Sequence, residues 1–327
     1  MKIQQLRYFY EVAKQGLNVS LAAEKLHTSQ PGISKQIQLL EEELGVDILI
    51  RHGKRVTGIT EPGQRILAIT ERILCEAENL KRVGADFTNE TNGSLSIATT
   101  HTQARYALPS VIKTFSQRYP GVQLRLHQGN PAQIVEMVLS GEADIAIATE
   151  AIALQDELVT LPCYQWNRSV IVQPGHPLLN EPTLTLEHIA NYPTITYDFA
   201  FSGRSQINKA FNDRNLSLSI VLTAIDADVI KTYVEIGLGI GIIASMAFDP
   251  SRDPNLRAID ASHLFEPSIT RIGIRHGSYL RSYTFAFIQL FAPDLTHDLV
   301  SRAISEERIN QHRNVSGFQH PEMMVKL

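Results

Sequence analysis

Cysteine is scarce: Cys75 and Cys163 are the only two in 327 residues, and they lie far apart. That pair matches neither a thiolate metal-ligand spacing nor a disulfide framework, which excludes zinc-finger chemistry, a Cys-x-x-Cys redox motif and a disulfide-stapled scaffold. Long hydrophobic runs are missing too. The longest uncharged, largely apolar stretch, residues 236–248, has 13 residues and is broken by Gly237, Gly239, Gly241 and Ser245, short of the ~18–20 that a membrane-crossing helix needs. No apolar core of a secretory signal follows Met1-Lys2-Ile3-Gln4-Gln5-Leu6-Arg7, so a cytoplasmic location is the expectation. Catalytic signatures are equally thin, with no Gly-x-Ser-x-Gly elbow, His-Glu-x-x-His pair or Walker segment. Gly237-Leu238-Gly239-Ile240-Gly241 follows a helical stretch and leads into a strand, the reverse of the order a pyrophosphate loop requires, and is expected to be a C-cap and tight turn. His101 has no carboxylate near it in sequence to orient it, and no cofactor, metal site or enzyme activity is expected.

What is present is an ordinary globular composition, 43% hydrophobic and 20% charged, in a chain longer than one core usually supports. At least two packing units follow. The net charge of −4 conceals an asymmetry, because residues 1–60 carry eight Lys/Arg against six Asp/Glu while every later section is net negative. The amino-terminal end is where a polyanion would be met.

Three short helices account for the first fifty residues. Leu6, Phe9, Val12 and Ala13 recur at helical spacing up to Gly16. Ser20 opens a second helix running to Leu26, and Thr28-Ser29-Gln30-Pro31 opens a third, a hydroxyl cap followed by a first-turn proline, which reaches Leu44 and is closed by Gly45. On this third helix Ile33, Ile37, Leu40 and Leu44 share one face, and Pro31, Ser34, Lys35 and Gln38 share the other. A helix-turn-helix reader and a three-helix cap with a merely solvated polar face both satisfy this spacing. The next segment favours the reader. Residues 47–60 are a strand, a Gly53 turn rich in basic residues and a second strand, a wing whose Arg51, Lys54 and Arg55 are placed for phosphates flanking a groove. Thr28, Ser29, Gln30, Pro31, Ser34 and Lys35 are then the candidate DNA-facing residues, with Gln suited to adenine, Ser to either kind of edge and Lys to guanine or phosphate.

Ala22-Ala23, Leu26, the run from Thr28 to Ile37, and Leu40-Glu41-Glu42-Glu43-Leu44-Gly45 resemble the winged helix-turn-helix of the LysR-type transcriptional regulators. That resemblance implies double-stranded promoter DNA as partner, with the positions of Gln30, Pro31, Ser34 and Lys35 facing the bases and the wing touching backbone.

Glu61-Pro62-Gly63 begins a long helix reaching about Phe87, with Ile66, Ile69, Ile73, Leu80 and Val83 on a 3-4 repeat missing only at Glu76. A dimerising helix and a helix packed on its own domain both fit this pattern. A LysR-type linker helix pairs with a second copy, so the resemblance implies a homodimer or homotetramer. Residues 88–93 read as a hinge loop. Beyond Ser94, strands alternate with helices for roughly 200 residues, the pattern of a parallel α/β sheet in two lobes, where ligands sit at strand carboxyl ends beside helix starts. Two such turns are residues 99–103, with Thr100, Thr102 and Gln103, and residues 196–205, with Ser202; Thr149 and Trp166 complete a cleft. Each hydroxyl taken singly is equally a plain helix cap.

The fold class is therefore α/β: winged helix-turn-helix (1–60), linker helix and hinge (61–92), a two-lobed periplasmic-binding-protein-like effector domain (93–292) and a tail (293–327). Segments such as Ile97–Pro109, Ala146–Ala151, Leu161–Arg168 and Thr223–Val234 resemble the branch of the family that regulates cysteine biosynthesis, and its paralogue for sulfonate use. What this implies is an effector such as N- or O-acetylserine, or a sulfate- or thiosulfate-like anion, held by Thr100, Thr102, Gln103, Thr149, Trp166 and Ser202, with RNA polymerase as a further partner. Ser202 stands where that branch usually has Thr, which keeps the hydroxyl.

Overall fold

Residues 3–59 fold as α1 (Ile3–Lys14), α2 (Val19–Lys25), α3 (Gln30–Leu44), β1 (Leu49–His52) and β2 (Arg55–Ile59), followed by α4 (Glu61–Thr88). The structure, a computed structural model, describes residues 1–53, 55–88, 91–198 and 203–305. Local signals set the ends of these helices. Ser29 Oγ accepts the Gly32 N–H at 3.3 Å, Pro31 sits in the first turn, and Gly45 ends α3 in the left-handed region at φ 70°, where a side chain would be strained. The cap of α2 is Asn18 rather than Ser20. Its Oδ1 accepts the N–H groups of Ser20 and Leu21, both at 3.1 Å, and Asn is as good an N-cap as Ser, so the cap lies two residues earlier.

The chain forms two compact units, Met1–Ala85 and the part from Asp86 onward. In the first, Leu6, Phe9, Val12, Ile33, Ile37, Leu40 and Ile48 make the core, and buried Ala22 and Ala23 let α2 approach closely. The apolar repeat of α4 divides between two duties. Ile66 and Ile73, with Leu67 and Leu74, pack on this core, whereas Ile69 and Leu80 are exposed, Leu80 by 75%.

The second unit has two five-stranded sheets. One contains β3 (Asn92–Thr99), β4 (Gly121–Gln128), β5 (Ile145–Ala148), β6 (Leu158–Trp166) and, after a long excursion, β12 (Ser268–Arg275), in the order β4-β3-β5-β12-β6. The other contains β7 (Arg168–Val172), β8 (Thr194–Tyr197), β9 (Ile220–Ala224), β10 (Ile240–Ala244) and β11 (Arg257–Asp260), in the order β11-β7-β10-β8-β9. The helices are α5 (Leu108–Arg118), α6 (Pro131–Leu139), α7 (Leu186–Ala190), α8 (Gly203–Asp213), α9 (Ala227–Glu235) and α10 (Ser282–Phe291).

The expectation of a parallel sheet is corrected to two mixed sheets. β3 runs parallel to β4 and β5, and β8 to β9 and β10, but β12 is antiparallel to β5 and β6, and β7 is antiparallel to β10 and β11. The chain changes lobe twice, at Asn167 and between β11 and β12, and each crossing strand enters its sheet against the local direction. Fully buried Arg168 fastens the two crossings, donating to the Glu266 carbonyl at 3.0 Å and to Ser268 Oγ at 2.8 Å, with its guanidinium 5.2 Å from the Trp166 ring. The 237–241 glycines are the expected turn. Gly237 has φ 81°, and a Cβ on Gly239 would lie 2.3 Å from the Pro193 carbonyl oxygen.

Candidate nucleic-acid face and effector cleft

In the first unit the buried side of α3 carries Ile33, Ile37, Leu40 and Glu41, which turns Gln30, Pro31, Lys35 and Gln38 to the exposed side; Thr28 and Ser34 are half-buried, and Ser29, exposed, uses its hydroxyl as the cap. Arg55 is exposed on the wing, and Lys54 lies outside the described residues. Arg51 is held differently. Its two terminal nitrogens donate to the two Glu41 carboxylate oxygens at 3.0 and 2.7 Å, and Glu41 Oε1 also accepts the Ile48 and Leu49 N–H groups at 3.0 and 3.2 Å. A two-pronged, mostly buried pair of this kind fixes the wing against the third helix and occupies the face that a phosphate would need. Glu41 was absent from the candidates because a Glu-Glu-Glu run reads as a solvated helix face.

In the second unit β3, β4, β5 and β6 all point the same way, with β12 against them, so Thr100, Thr149 and Trp166 gather at one sheet edge. The β8, β9 and β10 carboxyl ends supply the facing edge. Thr149 is 95% buried, by a relative exposure of 5%, yet its hydroxyl neither caps the 150–154 turn nor meets any other partner among the described residues. The same holds for the buried Trp166 Nε1. These are unmatched donors of the kind an anionic or carbonyl-bearing ligand satisfies. Thr100 is buried beside them.

Gln103 and Thr102 are already engaged. Gln103, fully buried, donates to Thr270 Oγ1 at 3.0 Å and accepts from the Tyr164 hydroxyl, so it braces the cleft wall. Thr102 makes no cap bond; it lies close to the Tyr197 phenol of the opposite lobe, whose oxygen accepts the Ala244 N–H at 3.2 Å. Burial raises the Tyr197 phenol above its usual range. Ser202 lies outside the described residues.

Residues 103–107 form a π-turn, not the start of an α-helix, and this turn delivers two side chains to the other lobe. Tyr106 donates to Asp228 Oδ1 at 2.7 Å, and Arg105 approaches Asp228 Oδ2 at 3.3 Å. Lys231, one helical turn further along α9, meets Asp228 at 3.2 Å, Asp253 at 3.0 Å and the Ala247 carbonyl at 3.0 Å. Burial, helped by Asp228, pushes the Tyr106 phenol up to about 12. Burial alone would raise Asp228 and lower Lys231, but the Tyr106 hydroxyl and Lys231 hold the Asp228 carboxyl below its usual value, and Asp253 and Asp228 hold the Lys231 ammonium above its own. Cys163 is pushed up to about 12 by burial, an inert thiol. His101, which has no carboxylate orienter near it in sequence, comes close to two in space: ligating atoms of His101, Asp226 and Asp228 lie within 4.8 Å of one another, while its Nδ1 is buried without a hydrogen-bond partner among the described residues. Sequence proximity could not show this, because the carboxylates come from the other lobe.

Residues 3–64 match the bacterial regulatory helix-turn-helix protein, lysR family, and residues 88–296, more than half of the chain, match the LysR substrate binding domain. The chain belongs to the LysR family of transcriptional regulators. This regulator is 53% identical over 306 residues to the HTH-type transcriptional regulator SsuR of Burkholderia cenocepacia, covering 94% of this chain and 99% of that one. It is 51% identical to the HTH-type transcriptional regulator CysB of Haemophilus influenzae, over 100% of both chains. The solved cofactor-binding domain of the Cbl transcriptional regulator superposes with a TM-score of 0.65 at 44% identity, covering 67% of this regulator and 96% of that domain. The regulator thus belongs with the CysB, SsuR and Cbl group, a DNA-binding family and not an enzyme family. Its two family domains imply DNA and a small molecule as partners. No helix among the described residues is long and apolar enough to cross a membrane.

Proposed function

We propose that this regulator controls genes of cysteine biosynthesis and sulfur assimilation, binding promoter DNA through Gln30, Pro31, Ser34, Lys35 and the wing, and taking acetylserine or a sulfur oxyanion in the cleft. The observation that carries the cleft reading is the Thr149 hydroxyl, buried and unmatched at the end of β5. Similarity to CysB and SsuR alike leaves a specific second reading, a regulator of sulfonate and sulfate-starvation genes. The exposed half of the α4 repeat supports assembly as a homodimer or tetramer. Regulation is a population shift: the effector binds one arrangement of the oligomer better, which changes promoter contact and recruitment of RNA polymerase in the cytoplasm. Sequencing of protein-bound DNA from cells grown on sulfate, on a sulfonate and under sulfur starvation tests this. Occupancy at cysteine-biosynthesis promoters that changes with sulfur supply is expected; occupancy confined to sulfonate-use genes selects the second reading, and occupancy indifferent to sulfur refutes both.

A further inference from the structure

α4 is one unbroken helix, but the division between the two compact units falls inside it, between Ala85 and Asp86. Its last turn therefore belongs with the second unit, where Asp86 fastens it. The Asp86 carboxylate, 12% exposed, takes its donors from one short stretch of chain. Oδ2 accepts from the Tyr279 hydroxyl at 2.9 Å and the Ser282 N–H at 3.4 Å, and Oδ1 accepts from Arg281 Nε at 3.3 Å and Ser282 Oγ at 3.2 Å. Ser282 is the first residue of α10, and Arg281, at the cap position, supplies no side-chain cap. The acceptor that a helix ordinarily finds in its own N-cap residue thus comes from α4, and it brings a full negative charge to the positive end of the α10 dipole.

From this point α10 leads into the wall of the cleft. Tyr283, Phe287, Ile288 and Phe291 are buried in one core with residues of β3, β5 and β12. At the far end of the helix the Phe291 ring lies 5.7 Å from the Tyr164 ring, whose hydroxyl donates to Gln103. A second route starts at the same place. The Arg281 guanidinium lies over the Tyr283 ring at 4.7 Å, and the Tyr283 hydroxyl donates at 2.8 Å to the Ser94 carbonyl of β3, the strand that ends at Thr99 beside Thr100. Interiors are close-packed, so a shift at Gln103 or Thr100 is carried along α10 and β3 instead of being absorbed where it arises.

Resting on the reading that this cleft holds the effector, we propose that Asp86 is the positioning residue through which the state of the cleft reaches α4, with α10 as the rod and the Asp86 carboxylate as the joint that makes the last turn of α4 follow it. An apolar contact could slide, whereas charge-assisted bonds from an arginine, a phenol and a helix start fix the turn in place and direction. Cutting the joint leaves both ends intact, so ligand binding survives while its linkage to α4 is lost.

Amide hydrogen exchange on the full chain, with and without O-acetyl-L-serine, N-acetyl-L-serine or sulfate, tests this, with calorimetry to establish which compound binds. In the wild type, a compound that binds is expected to change protection at residues 84–88 by about fivefold or more, the lower end of a typical coupling. Asp86→Ala keeps a strong helix former, and Asp86→Asn keeps the shape and removes the charge. Both are expected to bind the same compound within about twofold of the wild type, as distant sites do, and to show the change in α10 but not at 84–88. An Asp86 that is merely structural would lower protection at 84–88 with and without ligand alike, and a ligand-induced change there that survives in both variants overturns the proposal. So does a wild type that binds a compound with no change at 84–88. Gln103→Leu supplies an arm without ligand, because it removes the Tyr164 and Thr270 contacts. Alone it is expected to alter protection at 84–88, and combined with Asp86→Asn it is not. Failure of all three compounds to bind overturns the cleft reading; the Gln103→Leu comparison then decides the coupling by itself, and no change at 84–88 overturns it. Where Asp86→Ala folds poorly, the Asp86→Asn comparison stands.

Discussion

Replacing Arg51 by Ala separates a structural arginine from a phosphate-binding one. Arg51 is 29% exposed at its side chain and Glu41 only 7%, and the two share a two-pronged bond. Removing the guanidinium leaves a buried carboxylate that still accepts two backbone N–H groups, at 3.0 and 3.2 Å. Two charge-assisted bonds are lost while the carboxylate keeps half its partners, so a cost of about 2 kcal/mol is expected, below the ~3–5 kcal/mol of breaking a fully buried pair. Glu41→Ala strands the Ile48 and Leu49 N–H groups as well as Arg51 and should cost more, about 3–5 kcal/mol. For a unit of this size 2 kcal/mol corresponds to a midpoint shift on the order of 10 °C. Tryptophan fluorescence cannot follow it, since Trp166, the single tryptophan, lies in the other unit. Amide hydrogen exchange in the third helix, and DNA titrations over a range of salt, are the measurements. Arg51→Ala should lose protection in that helix and keep the wild-type salt slope among folded molecules. Unchanged protection with a slope flatter by about 0.9 would show instead that Arg51 neutralises a phosphate and that its bond to Glu41 contributes nothing.

Gln30→Ala and Ser34→Ala should each cost roughly 1–3 kcal/mol on the cognate site and relax base preference, whereas Arg55→Ala should weaken binding to all sequences alike with a flatter salt slope; equal losses on cognate and random DNA for the first two would remove their base-reading role. Thr149→Val keeps the shape of a buried side chain and removes its unmatched hydroxyl, so effector binding should fall by about 1 kcal/mol or more while folding is unchanged or improved; wild-type affinity would place the effector elsewhere. Lys231→Met leaves Asp228 and Asp253 facing each other and should cost about 3 kcal/mol near neutral pH. Because Asp228 has its carboxyl held down, its contribution is present above about pH 4 and is lost as pH falls through the lower folded value; because Lys231 has its ammonium held up, its contribution is present below about pH 10 and is lost as pH rises through the higher one. The Met variant's deficit should therefore shrink in urea titrations toward acid pH, and a deficit independent of pH would assign it to packing alone.

Some features are written into a few neighbouring residues. Ser29 and Pro31 start a helix, Gly45 ends it, and Ile33, Ile37 and Leu40 choose its buried face, because capping and helical periodicity act over a single turn or two. The strand-to-helix alternation after residue 94 is legible for the same reason, as is the reversed order of the 237–241 glycines, and a helix-turn-helix with a wing needs nothing longer in range. Other features depend on residues far apart. Glu41 becomes the anchor of Arg51 only when the wing folds back on the third helix. Gln103 becomes a brace, not a free amide, only because Thr270 arrives from a strand running against its neighbours. His101 acquires its carboxylates, and Thr102 its phenol, only when the second lobe faces the first. Burial and charge pairing are sums over all the elements that converge on a point, so the sequence by itself determined the helices, the wing and the class of the protein, while the tertiary structure alone decided which polar groups in the cleft were left without a match.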